Sequence, residues 1–348
     1  MSEINYPTIP DETIDNRFSS TYVDLLSGRL GGLALSCSDE WFAPSHNLVQ
    51  PGRGIYREGH FVSTGQWMDG WETRRGFGRR QKRSGEESDW CILRLGIPGT
   101  VLGFDIDTNH FQGNAPQYAS VEAVNSSQDP EPSAEWTNIL SKSPLRSDRQ
   151  NLFECQRKQM WSHVRLNIFP DGGVARFRVY GVASARRDDF IEGELVELSS
   201  ILHGGFCVAA SNSFFSPPNN LIMPGRGVNM GDGWETKRRR DSLNDWVIIK
   251  LGLKGSILKV IVDTNHFKGN YPDRVSLEGV KLEPGQTPNA ETLWRTVISE
   301  SVLSGHKEHI FIKEIETGST CEFTHVRVNV LPDGGLSRVK IMGLPNWG

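Results

Sequence analysis

Apolar and polar residues alternate with a period of two along much of this chain. In "TVLGFDIDT" (100–108), Leu102, Phe104 and Ile106 fall on one side and Asp105 and Asp107 on the other. In "HVRLNIF" (163–169), Val164, Leu166 and Ile168 alternate with His163, Arg165 and Asn167. In "VARFRVYG" (174–181), Ala175, Phe177 and Val179 alternate with Arg176 and Arg178. This period marks strands with one face on a core. "PDGG" (170–173) separates the last two runs and predicts a hairpin, its glycines supplying positive φ. Helical periodicity is scarce, the best short candidates being "SAEWTNILSK" (133–142) and "FIEGELVELSSI" (190–201). Many strands punctuated by Gly and Pro predict an all-β fold of jelly-roll sandwiches.

The pattern is written twice. "LGGLALSCSDEWFAPSHNLVQPGRG" (30–54) aligns with "HGGFCVAASNSFFSPPNNLIMPGRG" (203–227), and "DGWETRR" (69–75) with "DGWETKR" (232–238). "DWCILRLG" (89–96) aligns with "DWVIIKLG" (245–252), "DTNHFQGN" (107–114) with "DTNHFKGN" (263–270), and "HVRLNIFPDGG" (163–173) with "HVRVNVLPDGG" (325–335). The order is colinear and the spacing drifts by small insertions, as expected when they fall in loops. The repeat is a whole duplicated domain and not a solenoid unit. The first copy is placed at 20–182 and the second at 195–344, joined by the charged "ASARRDDFIEGE".

Composition narrows the class. Two domains are expected from 348 residues, and 37% hydrophobic content plus 36 glycines allows a sizeable core. A net charge of −4 argues against a nucleic-acid partner despite the basic run "RRGFGRRQKR" (74–83). The five cysteines form no CxxC and suit reduced thiols in a cytoplasmic protein. The polar, acidic start "MSEINYPTIPDETID" has no apolar core of a secretory signal, and no apolar run is long enough to span a bilayer.

Three stretches could carry chemistry. His163, Arg165 and Asn167 lie two residues apart and share one strand face, as do His325, Arg327 and Asn329. A shared role follows, either a buried polar network or ligand contact. "DTNHFxGN" ends a strand, where ligand groups are usually mounted. There Asp107 is a candidate base, His110 a proton shuttle and Asn114 an amide donor, and all three equally suit turn chemistry. Asp-x-x-His also leaves a divalent metal open. "DGWETRR" offers Asp69, Trp71, Glu72, Arg74 and Arg75; either an Arg takes a carboxylate or the charges pair internally beneath Trp71. Asp232, Glu235, Arg238, Asp263 and His266 repeat these positions. Asp39 and Glu40 become Asn212 and Ser213 in the second copy, so chemistry that needs them belongs to the first. No covalent-nucleophile or phosphate-loop motif occurs.

Through "SDEWFAPSHNLVQP", "WMDGWETRR", "DWCILRLGIPG", "FDIDTNHFQGN", "HVRLNIFPDGG" and their second copies, the chain resembles the allantoicase family over about 20–344. The resemblance implies two tandem jelly-roll domains of galactose-binding type, assembly into a homo-oligomer, and hydrolysis of allantoate to ureidoglycolate and urea. For such a substrate, Arg75 or Arg165 would hold the carboxylate and His110 or His163 would protonate the departing nitrogen. Asp107, Glu72 or Glu40 would activate water, with Asp69, Trp71 and Asn114 as further contacts. On that reading Asp107→Asn and His163→Ala each lower kcat by on the order of 10² or more. The alternative is a non-catalytic tandem module that binds a small ligand or carbohydrate, since fold does not fix function.

Overall fold

The computed structural model describes residues 18–19, 21–76, 87–155, 157, 159–318 and 320–347. The acidic N-terminal stretch, and residues 77–83 of the basic run, lie outside the described residues. The chain divides into two compact units between Ser184 and Ala185.

In chain order the first unit has strands β1 (Val23–Asp24), β2 (Leu33–Cys37), β3 (Phe61–Val62), β4 (Gly65–Gln66), β5 (Trp71–Glu72) and β6 (Asp89–Asp107). It continues with β7 (Tyr118–Val124), β8 (Thr137–Pro144), β9 (Gln150–Glu154), β10 (Met160–Phe169), β11 (Gly173–Val174) and β12 (Arg176–Ala183). The 19-residue β6 serves both layers of an antiparallel sandwich. Its first half pairs with β10 and β2, Leu93 standing opposite Val164 and Ala34. Its second half pairs with β12 and β9, Phe104 standing opposite Val179 and Phe153. The corner between them is Pro98-Gly99. A Cβ on Gly99 would stand 2.4 Å from the Val182 carbonyl oxygen, so the strands close there only over glycine. β7 and β8 extend the first layer beyond β10, and β1 lies beyond β12 in the second.

The alternation read from sequence supplies the core. Phe104, Ile106, Val164, Leu166, Ile168, Phe177 and Val179 are all fully buried, and Phe104 stacks on Phe177 at 6.2 Å. Less expected is the other face. Asp105, Asp107, His163, Asn167 and Arg176 are also buried, because loops cover the outer side of both layers. "PDGG" does not make a hairpin. β10 and β12 each pair with β6, which lies between them. The turn crosses the end of β6, Gly172 takes φ 136°, and Gly173–Val174 pairs with Trp71–Glu72. Both helical candidates are corrected too. Residues 133–142 run into β8, where Ile139 and Leu140 reach the core. Residues 190–201 hold only a two-residue strand at Val196–Glu197 and the start of a 3₁₀ turn at Ile201.

The second unit repeats the plan with β13 (Val196–Glu197), β14 (Phe206–Ala210), β15 (Trp234–Glu235), β16 (Asp245–Asp263) and β17 (Arg274–Val280). β18 (Arg295–Val302), β19 (Glu308–Phe311), β20 (Glu322–Leu331), β21 (Gly335–Leu336) and β22 (Arg338–Pro345) complete it. Its strand order, β13-β22-β16-β20-β17-β18 with β14 and β19 also on β16, matches that of the first unit element for element.

Candidate active site

The predicted residues divide among three places. The first is the outer face of β10. Arg165 donates to Glu122 at 2.8 Å and to the Pro132 carbonyl at 2.8 Å, and its guanidinium lies 4.8 Å from the centre of the Trp136 ring. Asn167 donates to the same Glu122 carboxylate at 2.9 Å and to Ser120 at 3.2 Å. The second unit repeats this network with Arg327, Glu278, Asn329, Ser276 and Trp294. His163 is 2% exposed, Nδ1 facing the Ser162 hydroxyl and Nε2 facing Asp129 at 3.3 Å. In the second copy, burial and then Lys250 push His325 down to about 4. Among the described residues this face forms the polar network that was one of its two sequence readings. His163 stands six residues before the end of β10, roughly 20 Å along the strand from the loops at Phe169.

The second place is the end of β6. Asp107 is 1% exposed and takes a two-pronged ion pair from Arg53, at 2.9 Å on each oxygen, plus the Asn109 N–H at 3.0 Å. A carboxylate with both oxygens held this way is a brace for the loop and not a free base. Arg226, Asp263 and Asn265 build the same brace in the second unit. Asp69 accepts from Arg176 at 2.8 Å and from the Ile55 N–H at 2.9 Å, as Asp232 does from Arg338 and Val228. His110 adopts φ 68° with its N–H on Asp148 at 2.8 Å, and its ring meets Tyr56. His266, at φ 71°, donates from Nε2 to the Gly227 carbonyl at 2.9 Å. Among the described residues, no group of three or more His, Cys, Asp or Glu could hold a metal ion. Arg53 already fills the Asp107 carboxylate in Asp-x-x-His.

Around Trp71 the sequence suggested contacts that are structural. Its ring is fully buried, and the indole N–H donates to the Asp39 carbonyl at 2.8 Å. Asp39 takes Arg74 through its N–H at 2.7 Å and its guanidinium at 2.6 Å. Glu40 accepts from the Ser45 N–H and hydroxyl at 2.9 and 2.8 Å, capping the turn that starts there. Burial works against its charge, but the Ser45 bonds prevail and lower it. Asp39 and Glu40 thus hold loops in place.

The third place is open. Arg75 and Lys142 flank a cleft of about 350 Å³ walled also by Gln117, Tyr118, Phe169 and Asp171. Among the described residues the Arg75 guanidinium makes no hydrogen bond or ion pair. Lys142 reaches the cleft across the Phe169 ring at 4.3 Å. Glu72 sits where β5 meets β11, and the Asn114 amide donates to its carboxylate at 2.8 Å. The Asn114 carbonyl in turn accepts the Gly173 N–H at 2.8 Å, tying the pair to the "PDGG" crossing. Burial raises Glu72 above the usual glutamate value, and the Asn114 bond and the Arg75 charge pull it partly back. In the second unit Glu235, Asn270 and Arg238 lie together in a cleft of about 870 Å³, Asn270 donating to Glu235 at 2.6 Å. Sequence reasoning missed Lys142 and Arg53. Lys142 has no repeated counterpart to flag it, whereas Arg53 recurs as Arg226 in "PGRG".

Fold and site together define a tandem β-sandwich protein with a cationic cleft beside a carboxylate–amide pair, suited to a small anion. The allantoicase repeat family matches residues 23–184 and 196–346. The allantoicase of Dictyostelium discoideum is 43% identical over 331 residues, covering 93% of this chain and 87% of that relative. A probable allantoicase of Pseudomonas syringae pv. tomato is 44% identical over 326 residues, covering 92% and 96%. The crystal structure of Saccharomyces cerevisiae allantoicase superposes with a TM-score of 0.79 at 32% identity, covering 97% of this chain and all of that one. The chain belongs to the allantoicase family.

Proposed function

We propose that this chain hydrolyses allantoate in purine catabolism and that the Arg75–Lys142 cleft with the Glu72–Asn114 pair is where it does so. One observation carries the placement: the Arg75 guanidinium, free of hydrogen bonds among the described residues, stands at a cleft open to solvent and acts on the charge of the half-buried Glu72, which Asn114 holds. Arg75 and Lys142 take the substrate carboxylate, a two-pronged guanidinium match supplemented by a point charge. Asn114 holds Glu72, whose raised proton affinity suits it to general acid catalysis. Protonated Glu72 gives its proton to the nitrogen of one ureido arm, and that C–N bond breaks with its electron pair leaving on urea. The lone pair of the remaining ureido nitrogen forms a C=N bond to the central carbon. Water adds to that carbon, Glu72 takes its proton, and ureidoglycolate results. Glu72 ends as it began. The five free cysteines support a cytoplasmic setting, and we place the active form in a homo-oligomer whose size light scattering would measure.

The test is urea release from allantoate by purified protein, with and without chelator. Glu72→Gln keeps the Asn114 bond geometry but loses the proton, and kcat should fall on the order of 10²–10⁴-fold. Arg75→Gln should raise KM by about tenfold or more. Wild-type kinetics in both folded variants would remove the chemistry from this cleft. Binding without any urea release would favour the non-catalytic module.

A further inference from the structure

We propose that the cleft of the second repeat is a second binding site, for a small carboxylate that carries a ureido arm. The first repeat sets two cations at its cleft, Arg75 from the loop after β5 and Lys142 from β8. In the second repeat the β8 counterpart is β18. Registers place Tyr118 opposite Pro144 and Arg274 opposite Val302, so Glu300 stands where Lys142 stood. Glu300 is paired there with Arg274 at 3.3 Å. The cation lost from that strand reappears from another element: Lys268 lines the cleft at the position of Gln112. Arg238 lines it at the position of Arg75.

Neither Arg238 nor Lys268 makes a hydrogen bond or ion pair among the described residues. The neighbouring Arg239, by contrast, is committed to Asp241 and Asp245, each at 2.8 Å. Of the carboxylates that also line the cleft, Asp273 faces Arg274 at 3.5 Å, Asp333 accepts the Arg239 N–H at 2.9 Å and Glu235 accepts the Asn270 amide, so none of them is a fixed partner of either cation. The restoration of the second cation by a different residue is accounted for by an anion that the two hold. Glu235 and Asn270 supply an acceptor and an amide for the N–H and C=O groups of a ureido arm. The cleft volume of about 870 Å³ lies within the range that small-molecule sites occupy. This inference takes only its ligand class from the first-repeat reading.

Isothermal titration of the full chain with N-carbamoylglycine tests it. That probe bears one carboxylate and one ureido arm on a single carbon, and has no second arm to lose. Two sites per chain are expected. The Arg238→Gln/Lys268→Gln double variant should weaken one of them at least about tenfold, and Arg75→Gln the other, with thermal melts confirming that each variant folds. One site per chain, untouched by the double variant, would overturn the proposal. So would full displacement by equimolar acetate, which would reduce the cleft to a general anion trap. If the double variant removes a site while Arg75→Gln removes neither binding nor turnover, the second site stands and the first-repeat placement fails.

Discussion

Asp107→Asn discriminates most sharply between the reading of the linear motif and that of the folded molecule. From sequence, Asp107 looks like a base and its loss should cost on the order of 10² in kcat. In the structure it is 1% exposed and accepts two Arg53 bonds at 2.9 Å and one Asn109 bond at 3.0 Å. Asparagine retains one acceptor oxygen and turns an N–H₂ group toward a guanidinium. Breaking a buried ion pair from one side costs about 3–5 kcal/mol. The Arg53 side chain is 50% exposed, so water takes up much of its charge and the cost falls to about 2–3 kcal/mol. For a unit of this size that is roughly 5–10 °C in Tm. Differential scanning calorimetry and urea release well below the melt measure the two effects separately. The expectation is a lowered Tm with kcat within about threefold of wild type. An unchanged Tm with kcat down a hundredfold would refute the brace and restore Asp107 as the base.

Other outcomes follow from the same geometry. Burial, then the Asp107 charge, push Asp105 up to about 7. Its folded value exceeds its unfolded one, so it lowers stability as pH rises from about 4 through 7. Asp105→Asn should therefore match wild type in Tm at pH 4 and exceed it at pH 8; equal melts at both would deny the buried charge. His325 has the opposite sign, its folded value of about 4 lying below the unfolded one. Its contribution is present above pH 6.5 and lost as pH falls toward 4, a loss that His325→Gln should flatten in pH-dependent melts. Arg165→Met removes the common partner of Glu122, Pro132 and Trp136 and should lower Tm while leaving KM unchanged. A rise in KM would return that face to the substrate.

The sandwich and its duplication were legible because a period of two and a repeated motif are local signals. Phe104, Leu166 and Phe177 could be placed in the core from alternation alone. What joins the strands could not be read that way. "PDGG" announces a turn but not that β6 lies between the strands it links, a fact fixed by residues more than sixty positions away. The braces were hidden for the same reason: Asp107 finds Arg53 across 54 residues and Asp69 finds Arg176 across 107. Short-range spacing suggested an Asp-x-x-His unit, whereas the fold gave each residue a separate partner. Lys142 illustrates the converse, a cation on a strand that joins the cleft only when β8 is laid beside Phe169.

The two repeats also separate what the loops need as geometry from what they need as charge. Asp39 and Arg74 become Asn212 and Lys237, yet the residue-39 side-chain oxygen still takes the backbone N–H, at 2.7 Å in one and 3.0 Å in the other. The ion pair is dispensable there and the loop bend is not. Glu40 becomes Ser213, and Pro218 opens the corresponding 3₁₀ turn in place of the capped Ser45. Glu72 and Glu235 behave differently, since each remains a carboxylate fixed by an asparagine beside an arginine. The turn needs the Asn114 and Asn270 carbonyls, which accept the Gly173 and Gly335 N–H groups, but it makes no hydrogen bond to the arginine among the described residues. In the first repeat the arginine favours the charged form of Glu72, and on the proposed reading a substrate carboxylate completes its remaining donors.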